Sequence, residues 1–205
     1  MRFYAHRGLS KRYKDNSVES IREAIYENYD GVEIDVQLSK DYEIVLFHDL
    51  YINNKFIKDM LFSELRDLGV ISLRNLYDNL DLTSVNLILD IKGIDKQIIE
   101  ELKYFYRNKK HNNIYFCSFN RDILLNLPYE FKKGFIFENI FHKSEIEYLT
   151  RGFSCVVIHW TCLNNEIIEF CKQKNIKTFT YTHKEDCEIE YMKKFNIDYI
   201  ITNGL

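Results

Sequence analysis

Apolar and polar positions follow two alternating rhythms along this chain. Short apolar runs recur eight times, at Phe3–Ala5, Val32–Val36, Leu87–Ile91, Ile114–Cys117, Gly134–Phe137, Cys155–Ile158, Lys177–Tyr181 and Tyr199–Thr202. Runs this short, with little polar alternation, read as strands buried on both faces. Between them lie stretches with a 3.6-residue period: Val18–Glu27, Lys96–Tyr106, Arg121–Leu127, Lys143–Leu149, Asn164–Lys174 and Lys184–Phe195. In the first, Val18, Ile21, Ala24 and Ile25 share a face and Ser17 can cap it. Strand and helix in alternation, with eight strands, predict an α/β fold, a (β/α)8 TIM-type barrel.

One segment breaks the rhythm. Ser39-Lys40-Asp41 looks like a turn between Val36–Leu38 and Ile44–Phe47, which predicts a β-hairpin inserted after strand 2 over the barrel mouth, with His48 on its return arm. Phe62–Leu68 and Leu73–Leu80 read as short helices leading to strand 3. A single proline, seven glycines and no Ser/Gly/Pro-rich stretch leave no sign of a linker, so residues 1–205 are expected to form one domain.

Composition narrows the function. A net charge of −3 argues against a nucleic-acid partner, because binding to a phosphate backbone needs clustered Lys and Arg. Five cysteines, odd in number and without CxxC spacing, suit a reducing compartment, and no apolar run approaches the ~18 residues of a membrane span. A cytoplasmic protein without a transmembrane segment is the expectation; the oligomeric state is left open.

Chemistry gathers at strand ends, where barrels place their active sites. His6-Arg7-Gly8 follows strand 1, Glu33 and Asp35 sit two apart on strand 2 and so share a face, Asp90 and Lys92 end strand 3, and His48-Asp49 closes the hairpin. Glu33, Asp35 and Asp90 make an oxygen-rich set suited to Mg²⁺ or Ca²⁺ and poor for zinc. An interior salt bridge between Asp90 and Lys92 is the plainer alternative. Arg7 can bind phosphate oxygens, and Gly8 lets backbone approach a ligand. Phe119, His159 and Tyr181, at the ends of later strands, are possible pocket residues.

These stretches resemble the glycerophosphodiester phosphodiesterase family. His6-Arg7-Gly8, Asp15-Asn16-Ser17, the run Gly31 to Asp41 and Val45-Leu46-Phe47-His48-Asp49 follow its opening pattern, with weaker echoes at Leu89-Asp90-Ile91-Lys92, Cys117-Ser118-Phe119, Phe179–Thr182 and Asp198–Thr202. The resemblance implies a TIM-type barrel that hydrolyses a small glycerophosphodiester to sn-glycerol 3-phosphate and an alcohol. Glu33, Asp35 and Asp90 would hold the divalent metal, His6 and His48 would be general base and acid in an order left open, and Arg7 and Lys92 would bind the phosphate. Several positions depart from the pattern: Asp15 and Asp90 replace Glu, Tyr42 a turn Gly, Tyr181 a Trp and Asn203 an Asp, while Leu50-Tyr51 lacks a nearby Arg. Two other readings remain. One is a lysophospholipase D-like phosphodiesterase or lyase that leaves a cyclic phosphate, as in the more distantly similar sphingomyelinase D-type phospholipases. The other is a non-catalytic barrel that binds a phosphodiester.

Overall fold

A computed structural model describes residues 1–204. In chain order it contains β1 (Arg2–His6), α1 (Val18–Tyr26), β2 (Gly31–Leu38), β3 (Ile44–Leu46), β4 (Tyr51–Ile52) and β5 (Lys55–Phe56). There follow α2 (Phe62–Asp67), β6 (Ile71–Ser72), α3 (Leu73–Asn79), β7 (Leu87–Ile91), α4 (Gln97–Tyr106), β8 (Ile114–Ser118) and α5 (Arg121–Asn126). Last come β9 (Lys132–Phe137), α6 (Lys143–Leu149), β10 (Cys155–His159), α7 (Asn165–Gln173), β11 (Lys177–His183), α8 (Asp186–Met192) and β12 (Tyr199–Thr202).

Parallel pairing runs β2-β7-β8-β9-β10-β11-β12-β1, and β1 pairs back to β2, so eight strands close into the expected barrel. Outward side chains of the strands, such as Val32, Ile34, Leu87, Leu89, Phe116 and Val156, join the apolar faces of the surrounding helices in one core. Inward side chains make a second core, which includes Tyr4, Ile88, Cys117, Cys155, Phe179 and Tyr199. Phe179 stacks on Tyr199 at 4.3 Å, and the Tyr4 ring meets both edge-on at 5.1 and 5.2 Å. Two glycines make room for this filling. A Cβ at Gly31 would lie 2.3 Å from the Tyr4 ring, and one at Gly134 would lie 2.4 and 2.5 Å from the Sγ atoms of Cys155 and Cys117.

The hairpin after strand 2 is present, since β3 pairs antiparallel with the end of β2 through Val36–Leu46 and Leu38–Ile44. Its turn uses a left-handed Tyr42 (φ 62°), and the Ser39 hydroxyl donates to Asp41 Oδ1 at 2.7 Å. The return arm stops at Leu46, so His48 lies in the bend beyond it rather than on the arm. Three two-residue strands were not anticipated. β4 and β5 form a small hairpin through Asn53-Asn54, both left-handed, and β6 extends the sheet beside β3. Val45, Ile57, Met60, Leu65 and Val70 form a satellite core beneath this excursion and fasten it to the barrel edge.

Candidate active site

The turn after β1 is built from two successive left-handed residues, Arg7 (φ 58°) and Gly8 (φ 78°). A side chain on Gly8 would fall 2.5 Å from the backbone of Ser20, so the turn can press on the start of α1 only without a Cβ. The Arg7 backbone N–H donates to the Glu33 carbonyl at 2.8 Å and to Glu33 Oε2 at 3.1 Å. Its guanidinium Nε lies 3.1 Å from Asp35 Oδ2, and Nη1 donates to Asp15 Oδ2 at 3.0 Å.

Asp35 is the most heavily held group. Besides Arg7, Lys92 Nζ lies 3.0 Å from its Oδ1, the Asn16 amide donates to its Oδ2 at 2.8 Å, and its own N–H donates to Asn16 Oδ1 at 3.0 Å. Burial alone would push the Asp35 carboxyl up, but Lys92 and Arg7 outweigh it and hold it below its ordinary value. Lys92 also forms a short hydrogen bond to Asp90 Oδ2, the interior salt bridge considered from sequence. Burial opposes the charge on Lys92, and Asp90 with Asp35 more than offsets it, so its ammonium titrates above its ordinary value.

Glu33, Asp35 and Asp90 are buried, with one oxygen from each within 4.8 Å of the others. Burial raises the Asp90 carboxyl to about 6, with Asp35 adding to the shift, and burial followed by Asp35 raises Glu33 well above its ordinary value. Asp90 Oδ1 is buried without a hydrogen-bond partner. Crowded anionic oxygens, one of them unsatisfied, fit a hard divalent cation, because such an ion would relieve both their repulsion and their desolvation.

The imidazoles are held differently. His6 is mostly buried; its Nδ1 lies 2.6 Å from Asn203 Oδ1, while Nε2 is 3.5 Å from Thr182 Oγ1 and 3.9 Å from Glu33 Oε2. An amide oxygen only accepts, so Nδ1 carries the proton and Nε2 is left with its lone pair toward Glu33. Burial, then the Arg7 charge, lowers the His6 imidazole to about 4. His48 is more exposed and its Nδ1 lies 2.7 Å from Asp49 Oδ1. Gln37 secures the loop on both sides of His48, its amide donating to the carbonyls of Phe47 at 2.7 Å and Asp49 at 2.8 Å.

One cavity of about 480 Å³ is lined by all ten residues singled out from sequence: His6, Arg7, Glu33, Asp35, His48, Asp90, Lys92, Phe119, His159 and Tyr181. Residues that sequence reasoning gave no role complete the setting. Asn16 clasps Asp35, Gln37 fixes the His48 loop, Asn203 orients His6, and Glu138 and Lys184 also line the cavity, beside the Trp160 that adjoins His159. Their partners lie up to 197 positions away, which no local pattern reveals.

Residues 6–80 match the model of the glycerophosphoryl diester phosphodiesterase family. A curated relative, glycerophosphodiester phosphodiesterase of Caldanaerobacter subterraneus subsp. tengcongensis, is 26% identical, covering 97% of this chain and 92% of its own. Over this opening third and, more weakly, along its whole length, the chain is similar to the glycerophosphoryl diester phosphodiesterase family. Solved structures share the fold. The glycerophosphodiester phosphodiesterase of Thermotoga maritima superposes with a TM-score of 0.85 at 23% identity, over 98% of this chain and 93% of the other. An Oleispira antarctica phosphodiesterase, solved with the product sn-glycerol-3-phosphate, gives 0.87 at 20% identity, over 99% and 93%. Among the described residues no helix is long and apolar enough to cross a membrane.

Proposed function

We propose that this protein hydrolyses small glycerophosphodiesters to sn-glycerol 3-phosphate and an alcohol, using a divalent cation, Mg²⁺ or Ca²⁺, held by Glu33, Asp35 and Asp90. The observation that carries this reading is the meeting of two imidazoles, two cationic side chains and a three-carboxylate cluster in one cavity. Charge supports it. Three carboxylates against Arg7 and Lys92 leave one negative charge; a divalent ion and a singly charged phosphodiester together bring the site to neutrality.

When bound, the cation would supply Lewis-acid polarisation of the phosphoryl oxygens. The side chains do the rest. Arg7 and Lys92, already ordered by Asp35, offer N–H donors to the non-bridging oxygens and stabilise charge that grows on them. His6 and His48 move protons to and from the attacking and leaving oxygens. With its Nδ1–H on Asn203, His6 presents Nε2 as an acceptor and suits the base. His48, backed by the Asp49 carboxylate, suits an imidazolium that gives up its proton. The five unpaired cysteines support a reducing, cytoplasmic setting.

The test is an assay on glycerophosphocholine with Mg²⁺, Ca²⁺ or chelator, its products followed by phosphorus NMR. Metal-dependent release of a linear monoester is expected. A stable cyclic phosphate would favour the lyase reading, and no turnover with any ion would leave a binding barrel.

A further inference from the structure

The cavity is chemically divided. The arc from β1 through β2 to β7 carries the groups used above. The opposite arc, from β8 to β11, presents Phe119, Glu138, His159, Trp160 and Tyr181.

Rings surround a single carboxylate there. The Tyr181 hydroxyl donates to Glu138 Oε1 at 3.0 Å. The Tyr181 ring meets Phe119 edge-on at 6.4 Å and His159 at 5.6 Å, and His159 stacks on Trp160 at 6.1 Å. Other cavity carboxylates are already compensated: Asp35 and Asp90 by Lys92, Glu33 by the Arg7 backbone N–H, and Glu188 by the N–H groups of Lys184 and Glu185. Among the described residues Glu138 has no ion pair, only the neutral phenol. Lys184 is the cation of this side, set against Glu138 and Glu188.

We infer that this arc seats an ammonium-bearing alcohol and makes the site select it over a neutral alcohol of the same shape. The inference rests on the phosphodiester reading for the position of the phosphate. Ring faces attract a cation through their quadrupole, and a carboxylate at the edge of the rings adds direct attraction. Reach is adequate, because Lys92 Nζ stands 6.0 Å from the centre of the Phe119 ring, so an ester on Lys92 has the aromatic arc within the span of a two-carbon alcohol. A neutral polyol could bond to Glu138 but would gain neither the charge–charge attraction of the carboxylate nor the pull of the ring faces, and these two differences are what the arrangement selects on.

Trp160 is the sole tryptophan and lines this arc, so its fluorescence reports occupancy without turnover. Choline, its uncharged isostere 3,3-dimethyl-1-butanol, and glycerol would be titrated into the whole protein. Choline should bind at least about tenfold more tightly than either neutral ligand, and in Glu138→Gln, which keeps the rings and removes the carboxylate, that preference should shrink by about threefold or more. Glu138 is exposed, so that substitution leaves no buried group unpaired and the fold is retained. A neutral ligand that matches choline, an emission unmoved by choline, or a variant that keeps the wild-type discrimination would each overturn the inference. The two readings fail separately. Hydrolysis of glycerophosphocholine without this discrimination removes only the inference, whereas choline binding without hydrolysis of any diester removes only the phosphodiesterase reading.

Discussion

At the scale of single residues, the imidazole of His6 depends on an amide from the far side of the closing seam. Asn203→Ala frees Nδ1, and kcat should fall by about 10- to 100-fold with a smaller change in KM, because misplacing a reacting group by an ångström is costly. His6→Ala and His48→Ala should each lower kcat by about 10²–10⁴-fold with an unchanged circular dichroism spectrum; a His48→Ala enzyme with wild-type turnover would remove it from proton transfer. His183 tests a different property. It is fully buried, with Nε2 3.0 Å from Thr180 Oγ1, and burial lowers its imidazole to about 4 from the ordinary 6.5. The folded state therefore resists its protonation, so the stability it contributes is complete above about 6.5 and is lost as pH falls toward 4. Urea midpoints should drop through that window, less steeply in His183→Gln; equal slopes would exclude the group. Candidate chemistry was legible at this scale wherever a polar residue interrupted or ended an apolar run, as His6, Glu33, Asp35 and Asp90 do. Asn16, Asn203 and Glu138 were not, since an amide or carboxylate in a loop or just past a strand carries no signal until its partner is known.

At the scale of elements, the barrel was readable because doubly buried strands and amphipathic helices have different periods, and every predicted barrel strand is found within two residues of its expected bounds at each end. β4, β5 and β6 escaped because two residues cannot show a period, although Asn53-Asn54 is a composition suited to a tight hairpin. What the pattern cannot give is the filling of the barrel. Cys117 and Cys155 approach to 3.9 Å across Gly134, with no space for a methyl group between them. Gly134→Ala should cost about 1–3 kcal/mol by overpacking. Combined with Cys117→Ala and Cys155→Ala, the same substitution should cost less than it does alone, a coupling that denaturant titration of the mutant cycle would measure. Strict additivity would mean that the strands simply move apart.

At the scale of the whole molecule, the carboxylate cluster is a stored repulsion that a cation can relieve. Mg²⁺ or Ca²⁺ at one hundred times its dissociation constant should stabilise the fold by about 2.7 kcal/mol, seen as a rise in melting temperature, and Glu33→Gln should diminish the rise. No shift with either ion would contradict the assignment of the cluster. β12 is the stave that slots between β11 and β1, and the residue just past it steadies the imidazole that follows β1. During translation the nascent polypeptide can lay down seven staves and still have an open seam, with its first histidine unanchored. A chain cut before Tyr199 would therefore lack both the closing stave and the amide that steadies His6.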